Sequence, residues 1–356
     1  QGVKTDVMPL NSLGECITAI NKHQPDVVVH TAGLTSVEEC ESNPGLAQEI
    51  NVDLAKNIAI ACNRQGVQLV HISTDHLSSG EESFVVEEDG TAPVNNYAKT
   101  KLEGEQQVIA NCKDALVIRT SFFSWGTKYR QSFSDFIINK LRNNEAVDLF
   151  SDVFFTTILA EELSKKTHQL VDANLSGVFN VAGSERLSKY EFGMKLANCF
   201  DLDTSLINEI SINDKSNLVK RPKDMSLSND KICKALSCTI SSIDEQFQDL
   251  KHQENNNATN QVKLDIIPYG RHYINEADIQ AVADVLRNGM LTQGPKVAEF
   301  ERKIADYVGA KYAVAVSNGT AALHLACMVL GFKEHDEVIT TPNTFVATSN
   351  SILYMN

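Results

Sequence analysis

The sequence predicts an α/β fold around a parallel sheet, and three observations carry that expectation. Val27-Val28-Val29 is β-branched at every position, as a strand covered on both faces requires, and a small-residue turn through Gly33 follows it. Val67 to Ile72 and Ala115 to Thr120 repeat the short apolar run. Helical periods lie between these runs: Pro44 to Arg64, with Leu46, Ile50, Leu54, Ile58 and Ala61 recurring and Gly66 as a stop, and then Tyr97 to Ala110. Strand and helix alternate, so parallel pairing through right-handed crossovers is expected.

From about residue 121 to 250 the alternation is less regular and reads as a smaller mixed lobe. The division predicted is residues 1–250 as one domain, with 1–140 mainly one lobe and 141–250 mainly the other. Lys251 to Gln261 is polar and Asn-rich without an apolar period, which predicts a flexible linker over 251–262. A new globular pattern occupies 263–356. It has a helix opening at Asn275 and stopping at Gly289, and a second helix from Lys296 to Tyr307. Strands are predicted at Ala313 to Val316 and at Glu337 to Thr340.

Composition excludes several classes. Among 356 residues, 42% are hydrophobic and 22% charged, ordinary for a globular protein, and a net charge of -14 argues against nucleic acid as a partner. The eight cysteines are scattered with no C-x-x-C pair, so neither a metal site nor a disulfide framework is expected. No apolar run approaches the ~20 residues of a membrane span, so no membrane partner is expected either. The cytoplasm is the expected location. The chain opens at Gln1 inside a structured pattern and closes inside the apolar run Ser351 to Met355, so it is read as cut at both ends.

The first candidate site is Tyr97 with Lys101. Spaced i, i+4, they project from one helix face. An ammonium beside a phenol favours the phenolate, and such a tyrosine can protonate a carbonyl oxygen as hydride reaches carbon. The pattern alone is weak. Tyr307 and Lys311 repeat it across Gly309, where a helix end is expected. Ser73-Thr74-Asp75 follows the strand ending at Ile72, in the place where parallel sheets bind ligands. The Thr74 hydroxyl there could donate to a carbonyl, or Thr74 and Asp75 could simply cap a turn.

These residues sit in a longer ordered set: Thr31 to Val37, Glu41-Ser42, Asn51-Val52, His71 to Asp75, Asn96 to Glu105, Arg119 to Ser121, and Arg221-Pro222. In that order the chain resembles the dTDP-4-dehydrorhamnose reductase-like extended short-chain dehydrogenases over residues 1–250. The resemblance implies a Rossmann-type, doubly wound parallel sheet with a smaller substrate lobe. It implies Thr74, Tyr97 and Lys101 as the catalytic set. It places NADPH or NADH near Asp6, Val7, Ala32, Gly33 and Lys101, and a nucleotide-sugar substrate near Thr35, Asp75 and Arg221. A homodimer is one assembly it allows. The family's glycine-rich phosphate cradle has no counterpart here, so the sheet is expected to be truncated at its N-terminal side and to bind cofactor poorly. His76 stands where the family usually has tyrosine, Leu77-Ser78-Ser79 replaces a more acidic continuation, and Asp152 to Thr157 lacks a usual proline. The same fold also serves epimerases and dehydratases, and it resembles the regulatory β-subunit of methionine adenosyltransferase.

In the last segment, Ser317 to His324 runs from a predicted strand into a helix, and its amides could hold a phosphate. Phe345 could stack on a flat ring or belong to a core. With Pro268 to Gly270 and Gly289 to Pro295, these resemble the sugar aminotransferases of the DegT/DnrJ/EryC1/StrS family. The similarity is greatest to the transaminase that makes UDP-4-amino-4,6-dideoxy-N-acetyl-altrosamine. This implies part of the large domain of a fold type I transferase. It also implies pyridoxal phosphate in the intact parent, with Gly319, Thr320 and Ala321 near the phosphate and Phe345 on the ring. The family's Schiff-base lysine has no counterpart in residues 264–356, so the module is expected to be inactive.

Overall fold

The computed structural model describes residues 12–127, 131–215, 217–259, 274–292, 294–333, 336–341 and 344–355. They form two compact units, residues 1–262 and 263–356.

The first unit is built on four parallel strands. β1 (Val27–His30), β2 (Gln68–Ile72) and β3 (Leu116–Arg119) lie side by side, and the strand Gly177–Asn180 completes the sheet beyond β3. Side chains alternate between the faces. Leu69 and Val117 pack with Ala59, Cys62 and Val108 on one side, whereas Val70, Leu116, Ile118 and Phe179 meet Leu163 and Leu170 on the other. Over β2 and β3 both faces are covered, which explains the unbroken apolar runs in those strands. Among the described residues β1 lies at the edge of the sheet, and Val29 is half exposed.

The helices follow their caps. α1 (Leu13–His23) opens on a Ser12–Glu15 capping box. α2 (Val37–Ser42) is capped by Ser36 and α3 (Pro44–Gln48) opens on Pro44 at its first position. α3 runs through a π-helical turn, Glu49–Asp53, into α4 (Leu54–Gln65), and Gly66 ends that helix in the left-handed conformation. The single helix expected from Pro44 to Arg64 is therefore three segments in one continuous run. α5 (Asn96–Asn111) opens on Asn95, whose Oδ1 accepts from the Ala98 N–H at 2.8 Å.

The second lobe has its own aromatic core, in which Phe123, Phe155, Phe192 and Phe247 pack edge to face or tilted. α6 (Phe133–Arg142) belongs to this core, although it begins before the expected boundary at 140. α7 (Ala160–Asp172) and the strand Gly177–Asn180 lie beyond that boundary and yet serve the sheet. The lobes thus interleave along the chain, because a fourth parallel strand needs a return crossover.

The expected linker over 251–262 is not what the structure shows at its start. A helix runs from Ile243 to Thr259. Lys251 Nζ donates to Cys199 O and Asp201, Arg142 pairs with Glu254, and Gln253 donates to Glu161. The apolar anchors Phe247 and Leu250 fix the helix upstream, and side-chain pairs then carry it onward without an apolar period.

The second unit is helical among its described residues: Glu276–Asn288, Pro295–Val308, Gly319–Leu330 and Ala347–Leu353. Gly309 ends the second of these in the left-handed conformation, which interrupts Tyr307 and Lys311 as expected. The strands predicted at 313–316 and 337–340 do not form. Those residues are irregular, with Val314 and Ile339 largely exposed. A strand needs a neighbour for its N–H and C=O groups, and none pairs with these among the described residues.

One position limits how α5 can dock. A Cβ placed on Gly104 would stand 2.1 Å from the Asn51 carbonyl oxygen in the π-helical turn. That oxygen is backbone and cannot rotate away. Gly104→Ala should therefore destabilise the first unit by about 3 kcal/mol or more, read as a lowered urea midpoint. An unchanged midpoint would show that the two helices can separate without loss.

Candidate functional site

A cleft of about 950 Å3 opens at the carboxyl ends of β1, β2 and β3, where open parallel sheets bind ligands. After β1 it is lined by Thr31, Gly33 and Thr35, after β2 by Ser73, Thr74, Asp75 and His76, and after β3 by Thr120 and Ser121. α5 adds Tyr97 and Lys101 from one face, and the second lobe adds Phe122, Trp125 and Phe133. Thr74, Tyr97 and Lys101, predicted from separate segments, thus share one cleft.

Each is held from below. Thr74 donates to Asp75 Oδ1 and accepts from the His76 N–H, both at 3.3 Å. Lys101 Nζ donates to the Ile72 carbonyl at 2.8 Å. Burial pushes the Lys101 ammonium down to about 8, with Glu105 pulling the other way. The His76 ring meets Tyr97 edge-on at 5.4 Å. Burial holds the His76 imidazole below its ordinary value, and Asp75 opposes that shift.

The floor of the site is polar and buried. His30 and His71, paired in register on β1 and β2, approach Nδ1 to Nδ1 at 2.9 Å. Burial first, and then the Lys101 charge, lower both, His30 to about 4, so the pair is neutral beneath the ammonium. Asn51 in the π-helical turn accepts from the Leu34 N–H at 2.8 Å and donates to Leu34 O and to Thr100 Oγ1. A Cβ on Gly33 would lie 3.3 Å from Asn51 Oδ1 and 3.8 Å from Lys101 Nζ. Glycine there keeps the ammonium's surroundings open.

The other sequence expectations fare differently. Thr35 and Asp75 line the cleft; Ala32 does not and is exposed, since its neighbours Thr31 and Gly33 take the inward positions. Arg221 is absent from the lining and pairs instead with Glu38. Asp6 and Val7 lie outside the described residues, as do Pro268 to Gly270. In the second unit, Gly319 and Thr320 begin a helix, but the Ala321 N–H is taken by Asn318 Oδ1 at 2.9 Å and Phe345 is largely exposed. Asn51, His30, His71 and Glu105 were not singled out as site residues from sequence. Asn51, His71 and Glu105 lie inside the ordered motif set, which is their available signal.

A doubly wound parallel sheet with a strand-end threonine and a helical tyrosine–lysine pair in one cleft defines a Rossmann-like protein of the short-chain dehydrogenase type. The chain belongs to the RmlD substrate binding domain family, whose model matches residues 4–255. Residues 272–356 match the DegT/DnrJ/EryC1/StrS aminotransferase family. A Haloferax volcanii relative named "Probable low-salt glycan biosynthesis reductase Agl14" is 29% identical over 66% of this chain and 80% of its own length. A dTDP-4-dehydrorhamnose reductase of Sinorhizobium fredii is 26% identical over 65% of this chain and 82% of its own. The methionine adenosyltransferase 2 subunit beta of Pongo abelii is 31% identical over 54% of this chain, which spans only 60% of that relative. Among solved structures, a Bacillus anthracis dTDP-4-dehydrorhamnose reductase in complex with NADP shares the fold, with a TM-score of 0.65, 22% identity, and coverage of 69% of this chain and 87% of that one. The last segment is 50% identical to a UDP-4-amino-4-deoxy-L-arabinose–oxoglutarate aminotransferase of Shewanella sediminis, over 25% of this chain and 23% of that relative.

The buried lysine has a stability consequence. Its native value of about 8 lies below the free value of 10.5, so between those limits the unfolded chain binds more protons and this site's contribution to stability rises with pH. Lys101→Met removes that dependence. The stability of Lys101→Met minus that of the parent should fall with pH across this window, by at most about 1.4 kcal/mol per unit. Urea unfolding at several pH values measures it, and a pH-independent difference would contradict the burial of a charged lysine.

Proposed function

We propose that the first unit reduces the 4-keto group of a 4-keto-6-deoxy sugar nucleotide, of the dTDP-4-dehydrorhamnose type, using NADPH or NADH. The observation that carries this reading is the convergence of Thr74, Tyr97 and Lys101 on one cleft at the strand ends. The reductase names among the relatives support it. So does room for a cofactor: Gly33 leaves the space before Lys101 clear, and the ammonium has donors beyond the one given to Ile72 O.

A bound nicotinamide would supply the hydride. Gly33 and Lys101 would hold its ribose end, the lysine donating to ribose hydroxyls. Tyr97 gives its phenolic proton to the carbonyl oxygen as that oxygen gains charge, and the Lys101 charge stabilises the phenolate left behind. Thr74 exchanges its bond to Asp75 for one to the same oxygen. Trp125 and Phe133 offer apolar surface to the nucleotide or sugar ring and help to exclude water. Thiols at all eight cysteines support a reducing compartment, the cytoplasm.

The match to a methionine adenosyltransferase subunit raises one rival: a protein that binds a partner enzyme and turns nothing over. Turnover separates the two. With dTDP-4-dehydrorhamnose, and NADPH at concentrations high enough to offset the poor cofactor binding expected from the sequence, oxidation of the reduced nicotinamide should be measurable. It should fall about a thousandfold in Tyr97→Phe and roughly a hundredfold in Thr74→Val. Equal rates in parent and variants would sink the reading.

For the second unit we propose no transaminase chemistry, although its family implies pyridoxal phosphate. The residues present do not fit the group well: the Ala321 amide is self-capped and Phe345 faces outward. Among the described residues its four lysines, Lys296, Lys303, Lys311 and Lys333, are all exposed. Lys296 and Lys303 share Glu299, and Lys311 lies over Tyr312. None has the desolvated setting that activates an amine. After mixing with pyridoxal phosphate and removing the excess, the chain should retain no aldimine absorbance that responds to glutamate. A stoichiometric, responsive band would overturn this.

A further inference from the structure

Glu105 lies outside the set of residues assigned above, yet its surroundings are built around it. It is 2% exposed on α5, one helical turn past Lys101, and the i, i+4 spacing puts both on one face. Arg119, at the end of β3, donates Nη2 to its Oε1 at 2.6 Å and Nε to both oxygens at 3.2 Å. Ser73 Oγ donates to its Oε2 at 2.9 Å. A buried Arg–carboxylate pair is by itself a structural feature. Two further facts go beyond that. Ser73 immediately precedes Thr74, and the carboxylate lies in the electrostatic surroundings of Lys101.

The strand end that presents Thr74 is pinned at three successive points. Lys101 Nζ holds Ile72 O, the Ser73 N–H donates to Ile118 O at 2.7 Å, and Glu105 holds the Ser73 hydroxyl. Two of the three anchors come from α5, the helix that also carries Tyr97. The helix and the strand end are therefore one rigid assembly, and Glu105 is its anionic anchor.

We propose that Glu105 is a positioning residue for the reaction: through Ser73 it fixes Thr74 against α5, and its carboxylate, one turn along the same helix face, supports the Lys101 ammonium. This rests on the reductase reading above. The charged and titratable groups around Lys101 give the sign. Tyr97 and Glu105 share its helix, and His30 from β1 and His71 from β2 are neutral. Arg119 from β3 lies behind Glu105. Glu105 is the group that favours the ammonium against burial. Remove its charge and Arg119 remains unpaired, so Lys101 loses its proton at lower pH and fewer molecules carry the ammonium at neutrality.

The test titrates Lys101 by NMR of [ε-13C]lysine in the full chain, with Lys101→Arg assigning the signal, alongside the pH profile of kcat/KM. In Glu105→Gln, both the titration and the alkaline limb of activity should move to lower pH by about one unit. Ser73→Ala breaks only the link to Thr74. It should lower kcat roughly tenfold and leave the alkaline limb in place. If Glu105→Gln does not fold, Glu105→Gln/Arg119→Gln leaves no unpaired buried charge. Its Lys101 titration should still move to lower pH, since the carboxylate that favours the ammonium is gone. An unmoved Lys101 titration in a folded variant, or full kcat in Ser73→Ala, overturns the proposal. If the parent reduces no sugar nucleotide while the titration moves as expected, the reductase reading fails and the electrostatic role of Glu105 stands.

Discussion

The site depends on how closely α5 approaches the π-helical turn at Glu49–Asp53. Gly104 permits the approach, because any side chain there would collide with the Asn51 carbonyl. Once the backbones touch, Asn51 reaches across to Thr100 on α5 and to both backbone groups of Leu34 after β1. One asparagine thereby ties the turn that carries Gly33 to the helix that carries Tyr97 and Lys101. The extra residue of the π turn redirects Asn51 within an otherwise regular helix, a use to which such bulges are often put.

A second constraint is electrostatic. Lys101, Glu105 and Arg119 are all nearly inaccessible, and a charge so placed needs compensation. The pair Arg119–Glu105 satisfies itself. Lys101 does not: its direct acceptor is a neutral carbonyl, and burial pulls its value down toward neutrality. The histidines beneath it respond by staying neutral. A lysine held this way lowers stability, and it is also what a site needs if an ammonium is to act on a phenol and a ribose without being masked by solvent.

Much of the first unit was legible in the sequence, for identifiable reasons. The valine run at 27–29 reports a strand of the parallel sheet, and Gly66 reports a helix end because no side chain there has to tolerate a positive φ. That Thr74, Tyr97 and Lys101 meet in one cleft was legible because their spacing and their place at a strand end are local properties. What escaped was non-local. No periodicity announces that Asn51 will sit in a π turn. Nor does any local pattern announce that Arg221 will pair with Glu38, more than a hundred residues away in sequence. The helix continuing through Lys251 and Glu254 was hidden too, because its support comes from partners on other elements.

The second unit shows the converse. Its helix ends follow local rules, with a capping box at Asn275 and Asp278 and left-handed glycines at Gly309 and Gly331. Its predicted strands fail, although Ala313 to Val316 has as good an apolar pattern as β1. The difference lies in what each strand meets. Val27 to His30 finds β2 in parallel register and places Val28 and Val27 against packed cores, while Val314 and Ile339 remain exposed. Helical hydrogen bonds close within one segment, but a strand's bonds must be supplied by another. Sequence pattern can therefore specify a helix by itself, and a strand only together with its neighbour. By the same logic, the phosphate-binding role implied for Gly319 and Thr320 needs more than a helix N-terminus, because it depends on a surrounding sheet to aim those amides at a ligand.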